Sequence, residues 1–190
     1  MLTPKQNLLE TLKTNGKPEC LCNSFTMLKP IGGDPCFKLI RGNRIRGTES
    51  EDVWGTHISF PQDAPAAVPI VTPENQVIKD ITHWRDYVNV PDLESRCKDG
   101  WEDAILNEKA IDHDRYLTCV IMGTGIFEQL HMLMTFEDTL CNLLEEPDDM
   151  EDLIEAICEY RLTYMKLVVE HLHPDLIISH DDWGSKNSMF

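Results

Sequence analysis

Asp175-Leu176-Ile177-Ile178-Ser179-His180-Asp181-Asp182-Trp183-Gly184 is the stretch on which the fold turns. A short apolar run with β-branched residues reads as a buried parallel strand, and polar residues at its carboxyl end stand where barrels and open α/β sheets bind ligands. Successive strand side chains alternate faces, so the two carboxylates cannot both enter the apolar layer. One of Asp181 and Asp182 is expected to face a ligand, and the other to bind neighbouring backbone or a cation. Capping of a following turn accounts for one aspartate, but hardly for two beside a tryptophan.

Outward from this strand, the chain alternates. Pro147 opens the longest helix, carried by Leu153, Ile154, Ile157, Leu162, Met165, Leu167 and Val168 to about residue 171. Residues 127–134 and 136–144 read as two further helical pieces. Before them, Tyr116-Leu117-Thr118-Cys119-Val120-Ile121-Met122 is a second buried strand, broken by Gly123-Thr124-Gly125. Residues 101–113 suggest a helix, and Trp84, Tyr87 and Val88 a short one that ends before Pro91. Residues 53–60 have strand character. Pro61, Pro65, Pro69 and Pro73 then resist both helix and central strand, and predict an extended surface loop or lid.

At the start, Thr3 is an N-cap, Pro4 a first helical residue and Gln6 the partner in a capping box. Leu8, Leu9 and Leu12 give that helix its apolar face, and Asn15-Gly16 ends it. Residues 23–28 read as a first short strand, and Asp34-Pro35 starts a helix through Phe37, Leu39 and Ile40. About four strands thus alternate with helices across one domain, residues 1–190. That order predicts an α/β fold with a parallel sheet and right-handed crossovers.

Composition excludes several classes. A formal net charge of −16 disfavours nucleic acid and anionic lipid as partners, because both require clustered Lys and Arg. No apolar stretch approaches membrane-spanning length, and residues 1–15 lack the charged and apolar regions of an export signal. A cytoplasmic location is expected. The seven cysteines are scattered without a C-x-x-C pair, as small hydrophobes in a reducing compartment would be. Cys20-Leu21-Cys22 and His171-Leu172-His173 lack the spacing zinc sites favour, so no metal ligand is assigned.

Three constellations carry candidate chemistry. Gly125-Ile126-Phe127-Glu128 follows a strand and opens a helix, where backbone N–H groups meet an anionic or carbonyl group; a tight turn needing glycine explains the same residues equally well. It is no dinucleotide fingerprint, since the third glycine is missing. Asp52-Val53-Trp54-Gly55-Thr56-His57 places a carboxylate and an indole on one face if extended. A substrate-facing acid and a solvated acid packed on Trp54 are the two readings. Arg41, Arg44 and Arg46 suit bidentate carboxylate binding, or form a solvated face. His180-Asp181-Asp182-Trp183-Gly184 is the strongest signal.

Together with the opening Pro4-Lys5-Gln6-Asn7-Leu8-Leu9 and Gly16-Lys17-Pro18, the stretches Asp52-Val53-Trp54-Gly55, Ile81-Thr82-His83-Trp84-Arg85-Asp86-Tyr87, Val90-Pro91-Asp92-Leu93, Gly125-Ile126-Phe127-Glu128 and His180-Asp181-Asp182-Trp183-Gly184-Ser185 resemble the uroporphyrinogen decarboxylase superfamily. That superfamily also holds the methylcobamide:coenzyme M methyltransferases and related corrinoid-dependent demethylases. The resemblance implies a (β/α)₈ TIM-type barrel with its site at the carboxyl ends of the strands. It covers only the amino-terminal half, so a partial barrel of roughly the first four strands with their helices is expected.

In the decarboxylases an arginine-rich motif near the first strand binds substrate carboxylates, and a free aspartate after the second contacts pyrrole N–H groups. Residues 20–30 hold no arginine, and Asp52 is the candidate for that aspartate. Asp182 falls where decarboxylases carry a hydroxyl residue, an added charge that disfavours a polyanionic substrate. The methyltransferase branch is therefore favoured. It implies a methylcobamide on a partner corrinoid protein, and a zinc-activated thiol whose His and Cys ligands belong to the absent half. Trp54, Phe127 and Trp183 are expected at the corrin-facing mouth, with Gly125, Glu128 and His180 on the substrate. Asp181, Asp182 and Asp52 are the candidate catalytic acids, and either twin acid is suited to orienting substrate or a ligating His.

Three functions follow: corrinoid-dependent methyl transfer, completed by a complementary half or by self-association; decarboxylation of a porphyrinogen; or a non-catalytic truncated barrel serving as a binding or assembly module. In each, this chain alone is expected to be inactive.

Overall fold

A computed structural model of the chain describes residues 1–42 and 44–182. The first helix, α1 (Pro4–Leu12), opens as its sequence dictates: Thr3 Oγ1 accepts from Gln6 N–H, and the Gln6 side chain returns a bond to Thr3 N–H at 2.9 Å. Asn7 is buried on its inner side. Its amide donates to Cys20 O and Cys22 Sγ and accepts from the N–H groups of Glu19 and Cys20. The Cys20-Leu21-Cys22 segment is thereby pinned to α1.

A helical turn, α2 (Ser24–Met27), leads into β1 (Leu28–Pro30). The expected strand at 23–28 is therefore displaced toward the carboxyl end, because the register is set by pairing with a later strand. Asp34 then caps α3 (Pro35–Arg41), accepting from Phe37 N–H at 2.8 Å.

Residues 53–60 depart from the expectation of a parallel strand. Asp52 Oδ1 accepts from the N–H groups of both Trp54 and Thr56, and Gly55 turns at φ +87°, so residues 52–56 form a tight turn. Only His57–Phe60 is a strand, β3, and it pairs antiparallel with β2 (Thr48–Glu51) and with β4 (Val68–Pro69). The proline-rich segment thus supplies an edge strand to a small separate sheet; proline is tolerated at an edge because its missing N–H costs no ladder bond there.

A 3₁₀ turn (Ile81–His83) and α4 (Trp84–Tyr87) follow, then α5 (Leu93–Arg96) and α6 (Glu102–Lys109). The Trp84-Arg85 pair docks on a later helix: Trp84 Nε1 donates to Asp152 at 3.0 Å, and the Arg85 guanidinium grips the same carboxylate with both terminal nitrogens. The central strand β5 (Leu117–Met122) is followed by α7 (Ile126–Leu133), α8 (Phe136–Glu145), α9 (Pro147–Leu172) and β6 (Leu176–Ser179).

The main sheet has the order β1-β5-β6, with both pairings parallel. Asp175 fixes the register of β6, since its carboxylate accepts from Thr118 N–H and Oγ1 while its own N–H donates back to Thr118 Oγ1. On one face, Val120, Met122 and Ile177 join the core built on the α9 stripe of Met150, Leu153, Ile157, Tyr160, Tyr164, Val168 and Leu172. On the other, Leu28, Leu117, Cys119 and Ile178 pack with Leu8 of α1. The molecule is mixed α/β with a three-stranded parallel sheet. No closed barrel forms among the described residues.

Candidate functional site

Two adjoining cavities, of about 230 and 460 Å³, open at the carboxyl ends of the parallel strands and share Phe37, Arg41, Gly123 and His180. The smaller has three walls. Helix α3 contributes Phe37, Ile40 and Arg41, with Arg44 beyond its end; the antiparallel ribbon and the residue before β4 contribute Ile58, Ala67 and Pro69; the strand ends contribute Gly123, Thr124, Glu128 and His180. Tyr164 and Met132 complete it. The larger adds the β1 end, from Pro30 to Asp34, and Ile121.

The wall at the end of β5 is strained and clamped. Thr124 sits at φ +57°, which a β-branched residue rarely adopts. Arg161 of α9 holds it there: one terminal nitrogen donates to the carbonyls of Gly123 and Thr124, and the other to Ser179 Oγ at 2.6 Å. One guanidinium therefore ties the end of β5 to the end of β6. Nothing in the sequence singled it out, beyond its being the single arginine of a long acidic helix.

Asp181 is committed to α7. Its carboxylate accepts from Phe127 N–H at 2.9 Å and Glu128 N–H at 2.8 Å, and so does for this helix what an N-cap side chain ordinarily does. Gly125 stands at the cap position, where a Cβ would lie 2.1 Å from Asp181 Cγ; glycine is required for the close approach rather than for its dihedral angles, since its φ is −67°. Glu128 accepts from Gly125 N–H at 3.1 Å and lies 3.9 Å from His180 Nδ1. Asp182 is solvent-exposed and 3.4 Å from His131 Nε2. One of the two aspartates thus binds backbone, as expected, but neither lines the cavities. A carboxylate that reaches a helix terminus finds two N–H donors there, which outweigh exposure to an open cleft.

Of the other expected residues, Glu128, His180 and the Gly125 loop converge on the cleft. Phe127 is buried, in edge contact with Phe136. Trp54 is 3% exposed and packs edge-on against Tyr160 with ring centroids 4.8 Å apart, so it belongs to the core and not to an open mouth. Among the described residues, its Nε1 and the Tyr160 hydroxyl are buried without hydrogen-bond partners, and burial pushes the Tyr160 pKa upward. Asp52 is spent on its own turn and borders a separate shallow groove with Lys38 and Arg96. Burial raises its pKa against the lowering effect of the two N–H donors and Arg44. Trp183 lies outside the described residues.

The link from Asp34 to Tyr164 was not anticipated. Asp34 is buried, and besides capping α3 it accepts from the Tyr164 hydroxyl at 2.9 Å, which joins α3 to α9 beneath the cleft. Arg41 and Arg44 stand together on the cavity wall, whereas Arg46 is occupied by the carbonyls of Gln62 and Ala64. No group of three or more His, Cys, Asp and Glu placed to hold a metal ion occurs among the described residues. No helix among them is long and apolar enough to cross a membrane. Comparison with family models, curated proteins and solved structures finds no match.

Proposed function

We propose that the cleft is the small-molecule end of an incomplete barrel of the uroporphyrinogen decarboxylase type, and that its activity is corrinoid-dependent methyl transfer. Support comes first from order: the parallel strands β1, β5 and β6 lie side by side in chain order without reversal, as in a singly wound barrel and unlike the switch point of a doubly wound sheet. The residues that carry the resemblance, Gly125, Glu128 and His180, meet at the carboxyl ends of those strands.

The observation that carries the choice of methyl transfer is the size and chemistry of the cleft. The two joined cavities, of about 230 and 460 Å³, suit a small methylated molecule, and a whole macrocycle, corrin or porphyrin, would have to sit at their mouth. Asp52, the acid that decarboxylation would aim at pyrrole N–H groups, is spent on its own turn and does not line the cleft. A corrinoid would be presented at the mouth by its carrier protein. No group among the described residues fits a zinc site, so a thiol-activating metal would take its ligands from outside them.

Equilibrium dialysis of the full chain against methylcobalamin and, separately, coproporphyrin tests the reading. Saturable uptake of methylcobalamin with none of coproporphyrin is expected. Uptake of coproporphyrin alone would favour decarboxylation, and uptake of neither would leave the assembly module as the better account.

A further inference from the structure

We infer that the cleft binds a small organic acid, an apolar body carrying one carboxylate, with Arg41 and Arg44 as the receptor for its anionic end. This deepens the assignment of the cleft as a ligand site and is independent of methyl transfer as its chemistry.

The chain carries a formal net charge of −16, yet two guanidiniums stand side by side on one cavity wall. Neither forms an ion pair among the described residues: Arg44 Nε donates to the carbonyl of Arg41, and Arg41 lies over the Phe37 ring at 5.5 Å. By contrast Arg85 is paired with Asp152, Arg161 is engaged with carbonyls, and Lys38 lies 2.9 Å from Asp103. Helix-dipole stabilisation accounts for Arg41, in the last turn of α3, but not for Arg44 beyond it.

Arg44, half-buried beside the exposed Arg41, is held at a cost. Burial and the neighbouring Arg41 both push the Arg44 pKa downward, and Asp52 offsets this only as the smallest influence. A bound anion would relieve both effects, because it is the one partner that screens the mutual repulsion and returns the hydrogen bonds lost with water. Guanidinium geometry favours a planar carboxylate held by two parallel N–H bonds.

The remaining walls define the body of the ligand. Phe37, Ile40, Ile58, Pro69 and Met132 are apolar, so the space beyond the arginines rewards a hydrocarbon rather than a sugar or a second charge. Glu128 and His180 stand across the cleft. The Glu128 carboxylate repels an anion from that side, which orients the charged end toward α3. Asp34, bordering the larger cavity, is already engaged by Phe37 N–H and the Tyr164 hydroxyl. A dianion is less suited than a monoanion, since two acids border the space.

Calorimetric titration of the full chain with phenylacetate, phenylacetamide and inorganic phosphate decides the matter. Phenylacetate should bind at least about tenfold more tightly than the amide of the same shape, as charge-assisted hydrogen bonds imply. Phosphate, lacking a body, should bind more weakly than phenylacetate. The double variant Arg41→Gln/Arg44→Gln should erase the preference for acid over amide, while Arg115→Gln, an exposed arginine on the Tyr116 side, should leave it intact. Equal affinity for acid and amide in the unaltered chain would overturn the inference whether or not the variants fold. So would an undiminished preference in the double variant. Binding of phenylacetate without methylcobalamin would sink methyl transfer alone; uptake of methylcobalamin with no preference for the acid would sink this inference alone.

Discussion

Gly125 and Asp181 act as one device, although 56 positions separate them in the chain. The glycine leaves the space, and the carboxylate fills it and satisfies two N–H groups that α7 cannot satisfy itself. Gly125→Ala should displace Asp181 and cost about 1–3 kcal/mol in urea unfolding, the sum of a lost cap and local crowding. In an Asp181→Gly background the same substitution should cost less, because the Asp181 Cβ, which would stand 2.4 Å from the new methyl, is removed together with the carboxylate. Additive losses in that double-mutant cycle would show that the two residues are uncoupled. Sequence reading identified both residues as important, and offered tight turn or ligand contact for the glycine. What it missed was that they serve each other.

At the scale of elements, the turn at residues 52–56 decides where the antiparallel ribbon begins, and therefore what walls the cleft. Asp52 organises that turn as a half-buried carboxylate whose pKa is raised, chiefly by desolvation. A carboxyl with a higher pKa folded than unfolded stabilises the fold most at pH below its unfolded pKa, and that contribution is lost as pH rises through the folded value. Asp52→Asn keeps an oxygen acceptor for the Trp54 and Thr56 N–H groups without the charge. The stability of Asp52→Asn relative to the parent chain should therefore increase from about pH 3 to about pH 7, measured by urea unfolding at each pH. A flat difference would mean that the charge is not penalised. Alternation in Asp52-Val53-Trp54-Gly55-Thr56-His57 resembles a strand only while Gly55 is overlooked. Its positive φ and the side-chain acceptor of Asp52 convert the start of that run into a turn.

On the scale of the whole molecule, the parallel sheet is bordered by β1 and β6, whose outer edges have no partner strand among the described residues. The face beside α1 leaves Ile121 41% and Leu176 36% exposed. An open edge next to an apolar face favours pairing with another chain. Self-repulsion from the net charge of −16 opposes it. Sedimentation equilibrium should thus show concentration-dependent association that strengthens as salt screens the charge. A monomer at all salt concentrations would show that the edges are protected.

The sequence by itself determined the elements whose signals are local. The Thr3-Pro4-Gln6 capping box, the Asp34-Pro35 helix start, the apolar stripe of α9, and the strands at 117–122 and 176–179 depend on spacing and side-chain chemistry within a few residues. Tertiary structure alone decided three things. It assigned residues 57–60 to a second sheet and set β1 several residues later than its own composition suggested, because strand membership is fixed by pairing. It gave Asp181 to a helix terminus and Asp182 to the surface. It brought Arg161 to the carbonyls of Gly123 and Thr124, and Tyr164 to Asp34. In each case the partners lie tens of residues apart, and a hydrogen bond at that separation leaves no periodicity in the chain that could announce it.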